Sequence, residues 1–198
     1  MDRKEFFEKV ADEWEKEHSR PEANRELPTL IEKFSLQPGQ KVLDAGCGTG
    51  RLIPFIRSAI GPTGLVVAVD FASQMVAYAR KKYSAPNLII FQADVTELPL
   101  TDNFFDRIIL LALFPHLPEK LKSLREMHRL LKPGGQLFIA HTSGRQEINS
   151  YHAQLAYPIC EDFLPEAYEM HQLFSAAELE ILEFIDEPNL YLVSGRKK

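Results

Sequence analysis

Between Lys41 and Ala140 short apolar runs alternate with longer amphipathic ones, and this alternation restricts the fold more than any other feature of the chain. "KVLDAG", "GLVVAVD", "NLIIFQAD", "FFDRIILLAL" and "GQLFIAH" are rich in Val, Ile, Leu and Phe and are bounded by Gly, Pro, Asn or Asp. Short and apolar on both faces, they read as buried strands. Between them "RLIPFIRSAI" and "SQMVAYARKKY" have helical spacing, and "EKLKSLREMHRLL" places Leu121, Leu124, His128 and Leu131 on one stripe before "KPGG" ends it. Strands that alternate with helices predict an α/β fold, with a mostly parallel sheet covered by helices on both faces. Right-handed crossovers then leave the carboxyl ends of the strands on one edge, where ligands bind in open sheets of this kind. Asp44 to Gly50, Asp70 and Asp94 all fall on that edge.

The flanks differ from this middle. Residues 2 to 17, "DRKEFFEKVADEWEKE", carry Phe6, Val10 and Trp14 at intervals of four on an otherwise charged helix, so that face is expected to dock over a site or over the core. From Thr142 to about Gln172 the alternation lapses into a polar, aromatic stretch. "LEILEFIDEPNLYLVSGR" then predicts two strands joined by a turn at Glu187, Pro188 and Asn189. With 198 residues, 45% of them hydrophobic, the chain is expected to form one domain over 1–198. Within it we expect an N-terminal helical cap over 1–35, a ligand-binding core over 41–141, a substrate-side insertion over 142–175 and a strand pair over 176–198.

Several classes of partner are disfavoured. No run approaches the ~18 consecutive apolar residues of a membrane helix, and the acidic N-terminus lacks the basic start and apolar middle of a signal peptide. A cytoplasmic protein that does not associate with membranes is expected, as monomer or homodimer. Cys47 and Cys160 form neither a disulfide framework nor a paired-cysteine zinc pattern and should be reduced thiols. The net charge of -5 provides no attraction for phosphate backbones, despite the small basic tail "GRKK", so nucleic acid is not an expected partner.

"VLDAGCGTGRL", Val42 to Leu52, sets three glycines at alternate positions behind a strand end. Such a run lets backbone approach a ligand with no β-carbon in the way. A dinucleotide site would have G-x-G-x-x-G, with pyrophosphate on the helix N-terminus and an acid about 20 residues on for the ribose. Asp70 stands 20 residues after Gly50, but the third glycine comes one position early. Asp44 would also repel a pyrophosphate while pairing well with an ammonium group. The ligand is therefore expected to carry a cation there.

The chain resembles the class I S-adenosylmethionine-dependent methyltransferases, in particular the broad group with a type 11 methyltransferase domain that includes the ubiquinone and menaquinone methyltransferases. The resemblance rests on "VLDAGCGTG", "VVAVDFASQMVAYAR", "FQADVTELPL", "FFDRIILLALFPHL" and "RLLKPGGQLFIA", in family order and at family spacing. It implies a doubly wound Rossmann-like fold whose mostly parallel seven-stranded sheet has its last strand antiparallel. S-adenosyl-L-methionine would be the cofactor and S-adenosyl-L-homocysteine the product, with a small-molecule methyl acceptor. Asp44 would face the methionine end, and Gly46, Cys47, Gly48 and Gly50 would present backbone to the carboxypropyl chain and ribose. Asp70 would accept both ribose hydroxyls, Phe71 and Met75 would line the adenine pocket or simply pack in the core, and Asp94 with the Val95 amide would meet the adenine edge. As an alternative Asp70 would cap a helix, although Ser73 is placed to do so. Cys47 reads as a small buried hydrophobe rather than a working thiol.

Methyl transfer from a sulfonium needs no metal and no covalent intermediate, and a base matters only if the acceptor arrives protonated. His116, in "LALFPHLPE", is the candidate base, with a structural loop histidine as the competing reading. The stretch His141 to Leu164 is the expected acceptor cover, with His141, Arg145, Asn149 and His152 as candidate substrate contacts. Arg145 would clamp an anionic, small polar acceptor rather than a long quinone, or these groups would instead tie down a helix starting near Glu147. His116, His141, His152 and Cys160 match no compact metal-ligand spacing, so no metal is expected. Two other functions compete with methyl transfer: a nicotinamide oxidoreductase on the same sheet topology, which the glycine spacing and Asp44 oppose, and a catalytically silent S-adenosylmethionine-binding regulator.

Overall fold

The computed structural model describes residues 1–198. Seven strands form one sheet in the order β3-β2-β1-β4-β5-β7-β6. They are β1 (Lys41–Ala45), β2 (Leu65–Asp70), β3 (Leu88–Gln92), β4 (Phe105–Leu111), β5 (Leu131–His141), β6 (Leu179–Glu187) and β7 (Leu190–Lys197). β1 to β5 pair in parallel, whereas β7 runs antiparallel between β5 and β6. The chain winds outward from β1 in one direction and resumes at β4 in the other. The carboxyl ends of β1 and β4 therefore flank the point where strand order reverses, the usual crevice for ligands.

Successive residues of each strand face opposite sides of the sheet, and both sides are apolar. Leu43, Val67, Ile108, Leu137 and Val193 pack in one cluster with Leu124, Met127 and Leu130 of α5 (Lys120–Leu130) and Met170 and Phe174 of α7 (Ala167–Ala176). Their neighbours Val42, Val66, Ile109, Phe138 and Leu192 pack on the other side with α2 (Leu27–Lys33) and α3 (Ile53–Ile60). The doubly wound arrangement follows directly from strands without a polar face. No helix is long and apolar enough to cross a membrane.

The α5 stripe is shifted from the one the spacing predicts. Ser123, Leu124, Met127 and Leu130 are its buried residues, while Leu121 and His128 lie at its margins and Leu131 already belongs to β5. Ser123 is tolerated inside because its hydroxyl donates to the Glu119 carbonyl at 3.2 Å. The "KPGG" turn is absorbed into the start of β5, where the pairing with β4 slips between Phe105 and Arg107.

A similar shift occurs in α1 (Arg3–His18), which packs on α4 (Ser73–Lys82). Phe7, Ala11 and Trp14 meet Ala72, Met75, Phe71 and Tyr78, whereas the expected face was Phe6, Val10 and Trp14. A strict four-residue interval drifts by about 40° per step around a helix of 3.6 residues per turn. The docked line therefore follows Phe7, Ala11 and Trp14, and the small Ala11 gave no hydrophobic signal. Acidic side chains fix α1 in place. The Glu8 carboxylate accepts from the Ser73 and Gln74 amides at 2.6 and 2.8 Å, Asp12 accepts from the Tyr78 hydroxyl, and Glu15 pairs with Lys82. Ser73 thus does not cap α4. The cap residue is Ala72, and the free amides take their acceptor from α1. The stretch after Thr142 is ordered into α6 (Arg145–His152), a 3-10 turn (Ile159–Glu161) and α7.

Candidate functional site

A cavity of about 250 Å³ opens at the carboxyl ends of β1, β2 and β4 and is walled on its remaining side by Arg3, Phe7 and Trp14 of α1. Asp44 enters it as the penultimate residue of β1 and is 2% exposed. Its Oδ2 is buried with no hydrogen-bond partner. Burial and the nearby Asp70 push the Asp44 carboxyl up to about 7. A buried carboxylate without a partner is costly, and a cation placed against it removes that cost.

The glycine run builds the floor. The Gly46 and Cys47 amides both donate to the Val69 carbonyl at 2.8 and 2.9 Å, which bends the chain back across β2. Gly46 has φ of +73°, and a β-carbon there would stand 2.7 Å from the Leu113 side chain on the opposite wall. A residue larger than glycine would displace that wall. Trp14 covers the same loop, with its Nε1 3.5 Å from where a β-carbon of Gly48 would lie. Burial, with the charges of Asp44 and Asp70, pushes the Cys47 thiol far up, so this sulfur is an inert small group.

Asp70 ends β2. One of its oxygens accepts from the Gly48 amide and the other from the Ala72 amide, each at 2.9 Å. Burial raises its carboxyl above the usual range, against the lowering effect of those amides. A carboxylate offers about four lone-pair sites, so capacity remains for a pair of hydroxyls. Phe71 and Met75 line the adjoining wall, followed by Asp94, Val95 and Thr96. Asp94 is exposed and accepts from the Thr96 amide at 2.8 Å, a turn that leaves its second oxygen free of partners within the chain.

His116 lies on a 3-10 turn, Phe114–His116, beyond β4. The Lys120 ammonium donates to the Pro115 and Leu117 carbonyls at 3.2 and 3.0 Å and holds that turn. The ring lines the cavity, and its Nδ1 lies 2.7 Å from Oδ2 of Asp162. Asp162 and Arg3 are the residues that sequence reasoning missed. Arg3 donates to Oδ1 of Asp162 through Nε and Nη2 at 2.8 and 2.6 Å. Neither residue carries a local motif, and they are 159 positions apart.

The other candidates are placed differently. None of His141, Arg145, Asn149 and His152 lines the cavity. His141 is buried at the end of β5 with its ring edge-on to Tyr191 and its Nε2 unpartnered. Burial, and the proximity of His116 and His152, drive its imidazole down to about 3. Asn149 uses both ends of its amide on the backbone of Leu164. His152 meets the Asp162 carbonyl through Nδ1 at 2.6 Å. Arg145 opens α6 and faces Asp186 and Glu166, each at 3.4 Å. Arg145 and Asn149 line a second, open cleft of about 880 Å³ that shares Pro118 and Glu119 with the inner cavity.

An orphaned buried acid, a second acid with lone pairs to spare and a glycine-rich floor fit a ligand that carries a cationic group and hydroxyls. Comparisons with known proteins find similar chains among the methyltransferases. Residues 43–139 match the family model described as methyltransferase domain. The chain is 36% identical over 115 residues to demethylmenaquinone methyltransferase of Staphylococcus aureus, an alignment covering 58% of this chain and 48% of that one, so the chain spans about half the length of the curated relatives it matches. In structure it is similar to a SAM-dependent methyltransferase from Aquifex aeolicus, with a TM-score of 0.76, 25% identity and coverage of 95% of this chain and 97% of that one. The fold is also that of a putative Haloferax volcanii methyltransferase solved with the Trm112 activator, at a TM-score of 0.79, 19% identity and 96% coverage of both chains.

Proposed function

We infer from the methyltransferase-domain match over residues 43–139 and from the similar methyltransferases that this chain is an S-adenosylmethionine-dependent methyltransferase, and we propose that it transfers a methyl group to a small-molecule acceptor whose reacting atom enters between Leu113 and His116. The observation that carries this reading is the unpartnered Oδ2 of Asp44 facing a glycine-floored cavity that a base candidate also lines. S-adenosylmethionine, when bound, supplies an electrophilic methyl group on a sulfonium that becomes a neutral thioether. Asp44 would hold its ammonium group and Asp70 its ribose hydroxyls. Gly46, Cys47, Gly48 and Gly50 would contribute backbone, Phe71 and Met75 the adenine walls, and Asp94 and the Val95 amide the adenine edge.

The remaining chemistry belongs to the chain's own residues. Phe7 and Trp14 exclude water from one side, and the rigid strand ends keep donor and acceptor in a reactive arrangement, an effect worth roughly 7 to 11 kcal/mol in favourable cases. His116 takes the acceptor's proton where the acceptor has one to lose, and general base catalysis of this kind contributes roughly 10² to 10⁴ in rate. Around His116 the inner wall is mostly apolar, with Phe7, Leu113, Leu117 and Pro118 beside the charged Arg3 and Glu119. The outer cleft carries Lys122, Arg125 and Arg145 beside Glu161 and Glu166. This division favours an acceptor with an apolar reacting end and a polar remainder. Arg145 lines the outer cleft and also faces Glu166 and Asp186, each at 3.4 Å, so an anionic acceptor would compete with two carboxylates for it.

The test is incubation with S-adenosylmethionine labelled in its methyl group and a panel of phenols, quinols, amines and carboxylic acids. Label should move to an acceptor with an equal yield of S-adenosylhomocysteine. Tight binding of S-adenosylmethionine with no transfer to any class would leave a silent binding protein and overturn the proposal.

A further inference from the structure

Asp162 lies beyond the matched methyltransferase domain, between the 3-10 turn at Ile159–Glu161 and α7, yet it is 1% exposed and joins elements far apart in the chain. Oδ1 receives Arg3 from the first turn of α1, and Oδ2 receives Nδ1 of His116. Burial works against ionisation of this carboxyl, but the hydrogen bonds from His116 and Arg3 outweigh it and hold the group below the usual carboxylate range. An ionised carboxylate has no proton to give. The ring nitrogen facing it must therefore carry the hydrogen, which leaves Nε2 as the basic atom of His116. Two further rings pack against the imidazole, Phe7 of α1 at 5.0 Å between centroids and His152 at 4.9 Å. His152 also holds the main chain of Asp162 by donating to its carbonyl.

We propose that Asp162 is a positioning residue that fixes the tautomer and aim of His116, and that Arg3 completes it, so that the base is set only while α1 is docked over the cavity. The proposal rests on the methyltransferase reading above. In the reaction Nε2 takes the proton of the acceptor X–H bond, and the electron pair of that bond stays on X, which becomes the nucleophile. The imidazolium that results stands beside the Asp162 carboxylate until its proton passes to water. Two contacts tie this arrangement to α1, the direct one from Phe7 and the indirect one from Arg3 through Asp162. Opening α1 removes both, so the base is disorganised whenever the cavity is open to water.

The test is nitrogen-15 NMR of the His116 ring in the full chain, without acceptor, for the parent protein, Asp162→Asn and Arg3→Gln. The parent should show the proton on Nδ1. Asp162→Asn should shift the ring toward a mixture of tautomers and lower kcat on the order of 10²-fold, given the scale of general base catalysis, with KM for S-adenosylmethionine unchanged. Arg3→Gln should broaden the same ring signals while hydrogen exchange in α1 accelerates, and Arg3→Lys should restore part of both. A parent protein with the proton on Nε2 would overturn the proposal even if Asp162→Asn fails to fold. Faster exchange in α1 with unchanged His116 signals in Arg3→Gln would sever the link to α1 and overturn it equally. Absence of S-adenosylmethionine binding would strike the methyltransferase reading and leave the tautomer result intact.

Discussion

Asp44 holds a proton in the folded chain across a pH range where the unfolded chain has released it, because its carboxyl is pushed from an ordinary 3.8 up to about 7. Between about pH 4 and pH 7 the folded state binds more protons, so this group's contribution turns against folding as the pH rises through that window, by at most roughly 4 kcal/mol. An ammonium group against Oδ2 favours the ionised form and removes the penalty. We therefore expect Asp44→Asn to flatten this part of the stability profile in denaturant titrations. S-adenosylmethionine should bind the parent less tightly as the pH falls below about 7, because ligand and proton compete for one carboxylate. Equal affinity at about pH 5.5 and about pH 8 would remove Asp44 from the ammonium site. Asp44 could be singled out from sequence because an acid at a strand end beside glycines is a local pattern, and Asp70 because it ends the next strand 20 residues after Gly50. Asp162, Arg3 and Glu8 could not, since each gains its meaning from a partner 46 or more positions away.

Among the elements, α1 departs furthest from its sequence reading and has the most direct bearing on the site. Its helical identity was evident, with Asp2 and Glu5 forming a reciprocal cap at its start. Its docked face was not, because Ala11 rather than a large apolar residue sits at the centre of the contact. Glu8 supplies the acceptor for two α4 amides that no α4 residue satisfies. Glu8→Ala should consequently cost about 1 kcal/mol, the scale of losing a helix N-cap, measured by denaturant unfolding. Trp14 stacks on His18 at 4.1 Å between centroids and overhangs Gly48. It is the only tryptophan, so its fluorescence reports this wall alone. Saturation with S-adenosylmethionine should change that emission, and Glu8→Ala should raise the ligand concentration required. A spectrum indifferent to ligand would make α1 a fixed part of the core rather than a cover that responds to the cavity.

At the scale of the whole molecule, the alternation from Lys41 to Ala140 was enough to predict a parallel sheet covered on both sides, because strands with no polar face admit few other arrangements. The placement of β7 between β5 and β6 is a different matter: a hairpin sequence specifies that two strands pair but not which of them meets the sheet. The acceptor side was the least legible for a related reason. Asn149 and His152 are polar residues of the insertion, but the structure turns them onto the backbone of Leu164 and Asp162, and local sequence does not distinguish such a tie from a substrate contact. The cavity, by contrast, gathers its residues from β1, β2, the turn after β3, the end of β4 and α1, so a ligand filling it binds the folded chain and has no site on the unfolded one. S-adenosylmethionine at ~100 times its dissociation constant should then add ~2.7 kcal/mol. For a chain of this size that corresponds to a rise in Tm of roughly 5 to 11 °C. S-adenosylhomocysteine keeps the ammonium and the ribose and should act likewise. NADH should give no comparable shift, because its pyrophosphate would approach the Asp44 carboxylate and the glycine run lacks the dinucleotide spacing. A shift with NADH and none with either sulfur compound would reassign the cavity to an oxidoreductase.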